Sequence, residues 1–178
     1  MDFFETVHAR QSVRAYQAKP VEPKQLEAIL SAANQSPSAG NLQGYEILIL
    51  RDGATIRSLA KAALSQMFIA QAPIVLVFCA DPARSGAKYG ARGEQLYCVQ
   101  DATVAAAYAQ LAATALGLAT CWIGAFDEKD VARVLELRAG LRPIAMLPVG
   151  WPAETPPRTP RRALSDLVRE HKGMIAGR

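Results

Sequence analysis

The chain has 178 residues, 51% of them hydrophobic and 20% charged, with a formal net charge of +4. That size and balance suit one buried core in a single domain over residues 1–178 and exclude a disordered or low-complexity chain. Apolar runs such as Ala72 to Ala80 fall far short of the ~20 residues of a membrane helix, and the acidic start Met1-Asp2-Phe3-Phe4-Glu5 lacks the basic flank of a secretory signal, so a cytoplasmic protein with no membrane partner is expected.

In chain order, Asp2 to Ala9 predicts a short helix. Glu22-Pro23 opens a second one, with Leu26, Ile29, Leu30 and Ala33 recurring on one face, and it ends before Pro37. Tyr45 to Leu50 reads as a strand, Gly53 to Met67 as a helix and Pro73 to Cys79 as a buried strand. Asp81 to Gly93 carries Pro82, Gly86, Gly90 and Gly93 and reads as a loop. Glu94 to Leu116 is the longest helix; its many alanines imply close packing, and Gly117 stands where a C-terminal cap belongs. Ala119 to Ile123 then reads as a short strand, Asp127 caps a helix through Leu135, and Ile144 to Val149 forms another strand. Pro152 to Pro160 can join neither a helix nor a central strand, so it runs over the surface as an extended arm, and Ala163 to Lys172 looks helical. The first two elements are helical and no regular βαβ alternation follows. An α+β layout with helices packed on a mixed sheet is therefore expected rather than a doubly wound one.

Several function classes fall away on composition and spacing. Cys79, Cys98 and Cys121 are widely spaced in apolar contexts, with only His8 and His171 to assist them, which argues for buried core residues rather than a metal site or disulfide framework. Most positive charges are scattered singly. The densest group, Arg158, Arg161 and Arg162, lies in a proline-rich segment without interleaved aromatics, so no nucleic-acid partner is expected. No Gly-x-Gly-x-x-Gly follows a strand, no P-loop or Gly-x-Ser-x-Gly elbow is present, and neither a triad nor a pair of carboxylates on one element stands out.

Two segments remain. Arg10 and Arg14, with Ser12 between them, can converge two guanidinium forks and a hydroxyl on a phosphate from one short stretch of chain, or can form a solvated basic loop. Ser36-Pro37-Ser38-Ala39-Gly40-Asn41-Leu42-Gln43 offers backbone N–H groups and a hydroxyl in a non-helical geometry, or is a helix-terminating turn. Both suit a bound phosphorylated cofactor.

Six segments then resemble one family. They are Arg10-Gln11-Ser12-Val13-Arg14-Ala15-Tyr16, Ser36 to Gln43, Gln71-Ala72-Pro73-Ile74-Val75-Leu76-Val77, Gln100-Asp101-Ala102, Leu116-Gly117-Leu118-Ala119-Thr120-Cys121-Trp122-Ile123-Gly124 and Leu147-Pro148-Val149-Gly150-Trp151-Pro152. Together, in this order over nearly the whole chain, they are similar to the FMN-dependent nitroreductase-like family.

The resemblance implies α+β subunits with a mainly antiparallel sheet, intertwined as a homodimer with FMN at the subunit interface and a C-terminal arm over about 152–178. It implies that Arg10, Gln11 and Ser12 form a first flavin-binding segment, with Arg10 and Ser12 on the phosphate and Arg14 at the N1/O2 edge. Pro37, Ser38 and Ala39 match the loop that crosses to the partner's flavin, with Asn41 and Gln43 supporting it. Gln66 falls at the pyrimidine edge; Ile123, Gly124 and Ala125 match the segment facing N5; Arg161 and Arg162 match the basic pair near the phosphate. The implied reaction is a ping-pong one: NADH or NADPH gives a hydride to FMN, and a small electron-poor acceptor such as a nitroaromatic or quinone then takes two electrons. No catalytic side chain is implied, and Tyr89, Arg92 and Tyr97 are candidates to line the open face. Departures from the family pattern are Gln11 in place of a second basic residue, Gly44 where proline is common, Thr159 where a lysine can precede the arginine, and little chain between Arg84 and Glu94 to build a lid. Alternatives are another flavin reaction, reductive dehalogenation or flavin breakdown, and a non-enzymatic flavin- or nucleic-acid-binding protein.

Overall fold

A four-stranded sheet, ordered β1-β2-β4-β3, organises the chain, with β1 at Tyr45–Leu50, β2 at Ile74–Ala80, β3 at Ala119–Thr120 and β4 at Arg142–Gly150. Among the described residues all three strand pairings are antiparallel, and the one parallel contact is an isolated bridge between Ser12 and Thr120. The computed structural model describes residues 1–171.

Every residue of β2 is buried, as its unbroken apolar run requires of a strand covered on both faces. Its side chains alternate between two clusters, because successive residues of a strand point to opposite faces. On one face Leu76 and Phe78 meet Leu26 and Ile29 of α2 (Pro23–Asn34) and Ala105 and Ala109 of α5 (Cys98–Ala115). On the other, Val75 and Val77 meet Ile56 and Leu59 of α3 (Gly53–Ala62) and Val131 of α6 (Glu128–Val134). The result is three layers, helices over both faces of one sheet. Buried Ala102, Ala105, Ala106, Ala109 and Ala113 let α5 approach the sheet closely, as its alanine content foretold.

Caps fix most helix starts. Asp2 and Glu5 form a reciprocal capping box on α1 (Phe3–Ala9), while Asp52, Asp81 and Asp127 each accept a backbone N–H of the first turn of their helices. All three cysteines are buried and unpaired, as expected.

Four element expectations need correction. Asp81 to Gly93 is not a loop but helix α4 (Pro82–Arg92), with Pro82 in its first turn and a break only at Gly90, whose φ is 54°. Its glycines serve packing: a Cβ on Gly93 would overlap the backbone of Ser85, and one on Gly86 the side chain of Glu94. A π-helical turn, Gly93–Tyr97, then leads directly into α5. Helix α3 stops at Ala62 rather than Met67, because Leu64 and Ser65 adopt left-handed backbone that no α-helix accommodates. Among the described residues of the tail only α7, Leu164–Leu167, is helical, and its Leu164 and Leu167 are exposed, without the packing that would support more turns. Lys172, the expected end of that helix, lies outside the described residues. The expected strand Ala119 to Ile123 shortens to β3, with Ile123 rejoining the sheet by an isolated bridge to Met146. Among the described residues no helix is long and apolar enough to cross a membrane.

Candidate functional site

After α1 the chain turns extended at Arg10 and runs between β3 and the C-terminal arm. Val13 N–H donates to the Thr120 carbonyl at 3.0 Å on one side. On the other, Gln17 N–H donates to the Trp151 carbonyl and Ala153 N–H to the Ala15 carbonyl, each at 2.9 Å. Glu154 completes the attachment by accepting from the Arg14 backbone N–H at 2.6 Å. The start of the proline-rich arm, Trp151 to Glu154, is therefore stitched along residues 14–17, which gives it a defined course without regular structure.

Between them lies a cleft of 660 Å³, walled by Arg10, Gln11, Ser12 and Arg14 on one side and by Arg158 and Arg161 on the other. Burial, and then the positive charge of Arg161, hold the Arg10 guanidinium below the usual arginine pKa. Gln11 Oε1 is buried there without a partner among the described residues. Its four arginines and the Ser12 hydroxyl give the cleft the chemistry of an anion site. Behind it, burial pushes the Cys121 thiol up, which keeps it an uncharged neighbour of Ser12.

The cationic wall continues into a less polar one. The Arg14 guanidinium stacks 5.9 Å from the centre of the Phe68 ring. Phe68 belongs to the 3-10 turn Met67–Gln71, which follows Gln66. Gln66 Nε2 donates to the carbonyls of Ala63 and Ala125, both at 2.9 Å, and so ties that turn to the connection between β3 and α6. Ile123 is buried and bridged to Met146, while Gly124 and Ala125 are exposed. Arg10, Ser12, Arg14 and Arg161 thus line one cleft, and Arg14 connects it through Phe68 to the turn that Gln66 ties to Ala125.

Pro37, Ser38 and Ala39 are not part of it. They line a second cleft, of 450 Å³, with Tyr97, Val99 and Thr103, and the two clefts share no lining residue. The loop that carries them is held by its own geometry: Ser38 Oγ accepts from Gln43 N–H at 3.0 Å, Arg84 Nε donates to the Leu42 carbonyl, and Asn41 and Gln43 adopt φ of 57° and 50°. Asn41 and Gln43 are thus scaffold to the loop. Tyr89 packs against Gly40, and the Tyr89 and Tyr97 rings meet edge to face at 5.2 Å, with Arg92 Nε donating to the Tyr97 hydroxyl at 3.0 Å. The structure therefore gathers Tyr89, Arg92 and Tyr97 beside the Pro37–Ala39 loop. Arg162 does not join Arg161 in the first cleft; its guanidinium turns back to the Asp166 carbonyl at 3.1 Å.

Two residues that shape these walls were not foreseen from the sequence. Asp101, 3% exposed, accepts from Ala39 N–H at 2.9 Å and Gly44 N–H at 3.2 Å. Glu154 holds Arg14. Each carried a signal: Asp101 is the only charged residue between Glu94 and Asp127, and Glu154 the only acid between Pro152 and Ser165.

The model of the Nitroreductase family matches residues 7–81 and 64–151, a span that takes in every described strand, the second cleft and the Arg10–Arg14 wall of the first, and ends before Arg158 and Arg161. The chain belongs to the nitroreductase family. Within that family it is 31% identical over 175 residues to the oxygen-insensitive NADPH nitroreductase of Salmonella typhimurium, covering 94% of this chain and 73% of that protein. It is likewise 31% identical over 163 residues to an FMN reductase [NAD(P)H] of Bacillus subtilis, covering 84% of this chain and 66% of that protein. Among solved structures, NfrA2 of B. megaterium superposes with a TM-score of 0.87 at 27% identity, over 99% of this chain and 78% of that one. The nitroreductase fold expected from the six segments is borne out, and the described subunit is a nitroreductase-family α+β layout with helices over both faces of its sheet.

Proposed function

We propose that this protein is an FMN-dependent NAD(P)H oxidoreductase that reduces electron-poor acceptors such as nitroaromatics and quinones. The observation that carries the reading is the convergence of Arg10, Ser12, Arg14, Arg158 and Arg161 on one cleft, in a chain whose relatives are named as NADPH nitroreductase and FMN reductase. These residues fit FMN. Guanidinium groups suit a phosphate monoester, and the Phe68 and Gln66 end offers an apolar face beside amide groups.

Bound FMN would supply two-electron chemistry, taking a hydride from NADH or NADPH and passing two electrons to the acceptor in a ping-pong sequence. The chain's own part is placement and electrostatics. Arg10 and Ser12 would hold the phosphate with Arg161. Arg14, fixed through its backbone by Glu154 and through its side chain by Phe68, offers a positive charge to the N1/O2 edge, where it favours an anionic cofactor. Gln66 fixes the Ile123-Gly124-Ala125 segment, and no side chain acts as acid or base in the hydride step.

The Pro37–Ala39 loop faces a cleft separate from the cationic one, which supports its serving the flavin of a second subunit. A homodimer with FMN between the subunits is the matching assembly. Exposed Phe3, Phe4 and Val7 on α1 and Tyr108 on α5 supply apolar surface for it. The test is a steady-state assay with FMN-loaded protein. NADH or NADPH consumption that depends on an added nitroaromatic or quinone supports the reading; none with either nicotinamide and several acceptors overturns it.

A further inference from the structure

The loop from Ser36 to Gly44 leaves α2 and enters β1 through three left-handed residues, Gly40 at φ 57°, Asn41 at 57° and Gln43 at 50°. Two of the three carry side chains and are disfavoured in that conformation, so the loop depends on contacts that hold it. Ser38 Oγ bonds within the loop and Arg84 Nε reaches the Leu42 carbonyl in its middle, while one further side chain holds its ends. Asp101, on the buried face of α5, accepts from Ala39 N–H with Oδ1 and from Gly44 N–H with Oδ2. One carboxylate closes both ends of the strained stretch. There is no slack beside it: a Cβ on Gly44 would overlap the Ser85 hydroxyl and come within 3.2 Å of Asp101 Oδ2. Asp101 touches neither cationic wall, since it borders only the second cleft.

We propose that Asp101 is a positioning residue for flavin binding in trans: it holds the Ala39–Gly44 loop so that Pro37, Ser38 and Ala39 are presented to the cofactor of the other subunit. This rests on the reading of that loop as a contribution to the partner's FMN site. A carboxylate suits the task because it accepts from two N–H donors at once and donates nothing, and a charged acceptor makes each bond stronger than a neutral one. Asp101→Asn keeps the size but can accept from one of the two amides only, turning its NH2 toward the other donor.

The experiment uses the full-length homodimer and FMN as probe. Asp101→Ala should weaken FMN affinity about tenfold or more, the scale set by losing a charge-assisted hydrogen bond, with dimer mass and far-UV circular dichroism unchanged. Asp101→Asn should fall between it and the parent. A differently tagged heterodimer of an Asp101→Ala chain and an Arg10→Ala chain separates positioning from general damage. Acting in trans, the Asp101→Ala chain contributes its intact cradle, the Arg10→Ala chain its intact loop, and one of the two sites is restored, giving half the parent flavin content. A heterodimer as empty as the two mutant homodimers overturns the proposal, as does full affinity in Asp101→Ala.

Hydrogen exchange decides the same residue without flavin. The Ala39 and Gly44 amides should exchange about tenfold faster in Asp101→Ala, and one of them only in Asp101→Asn. If the parent takes up no FMN, the flavin reading fails; if those amides exchange at parent rates in the variants, the hold on the loop fails.

Discussion

Arg10 and Arg161 stand on opposite walls of one cleft, and after burial the charge of Arg161 is the largest influence lowering the Arg10 pKa. Like charges brought together by the fold cost stability unless an anion lies between them. Arg161→Ala should therefore leave the flavin-free protein as stable as the parent or slightly more so, within about 0.5 kcal/mol, while weakening FMN binding. Melting curves with and without FMN check both signs. Arg10→Ala combined with Arg14→Ala should abolish flavin uptake with the fold intact; full flavin retention would refute the assignment of the phosphate to this cleft.

Much of this arrangement was legible from the residues, for reasons that differ by element. Strand β1 has the bounds its apolar run and flanking Gly44 and Asp52 dictate, and α2 begins where Pro23 permits and ends before Pro37. Helix α4 was hidden because Pro82, Gly86, Gly90 and Gly93 are breakers by local propensity, whereas packing against Glu94 and Ser85 demands glycine at 86 and 93. The early end of α3 depends on left-handed Leu64 and Ser65, residues with no turn signature. At the site, Arg10, Ser12 and Arg14 announced themselves by spacing, and Arg161 lines the same cleft. The separation of the Pro37–Ala39 loop from the cationic cleft, and its tie to Asp101, arise from contacts between segments far apart in the chain, which no local pattern encodes.

Gly40 tests how strained the loop is. Its φ of 57° suits glycine, and a Cβ there would overlap the Tyr89 hydroxyl. Gly40→Ala should destabilise the fold by about 1–2 kcal/mol in urea unfolding, and adding Tyr89→Phe should recover part of that loss by removing the overlapping oxygen.

The sheet core should be far less forgiving than the tail. Phe78 is fully buried between α2 and α5, so Phe78→Ala should cost about 3–5 kcal/mol. Leu164 on α7 is 76% exposed, and Leu164→Ala should change stability by less than about 0.5 kcal/mol. Equal losses at the two positions in denaturant unfolding would mean that the tail packs on the core.

Arg138 should make stability depend on pH. Its guanidinium bonds Glu46 at 2.6 Å and Asp81 at 2.7 Å. Burial pushes the Asp81 carboxyl up, but the Arg84 backbone N–H and the Arg138 guanidinium outweigh it and hold the carboxyl below its ordinary pKa of 3.8. A depressed carboxylate stabilises the fold above that ordinary value and ceases to do so as pH falls through the lower, folded-state one. Arg138→Met should thus be less stable than the parent at pH 7, and the difference should shrink below pH 3.8. A gap that stays constant from neutral to strongly acidic pH, followed by thermal melting, would assign the loss to packing instead.

The absorbance spectrum of the purified protein after incubation with FMN and desalting is the most direct measurement of the proposed function. The cleft of Arg10, Ser12, Arg14 and Arg161 should retain flavin bands at one equivalent per subunit, bleached by NADH or NADPH without oxygen and restored by a nitroaromatic or quinone. A protein that emerges colourless, or whose flavin neither nicotinamide bleaches, would contradict it.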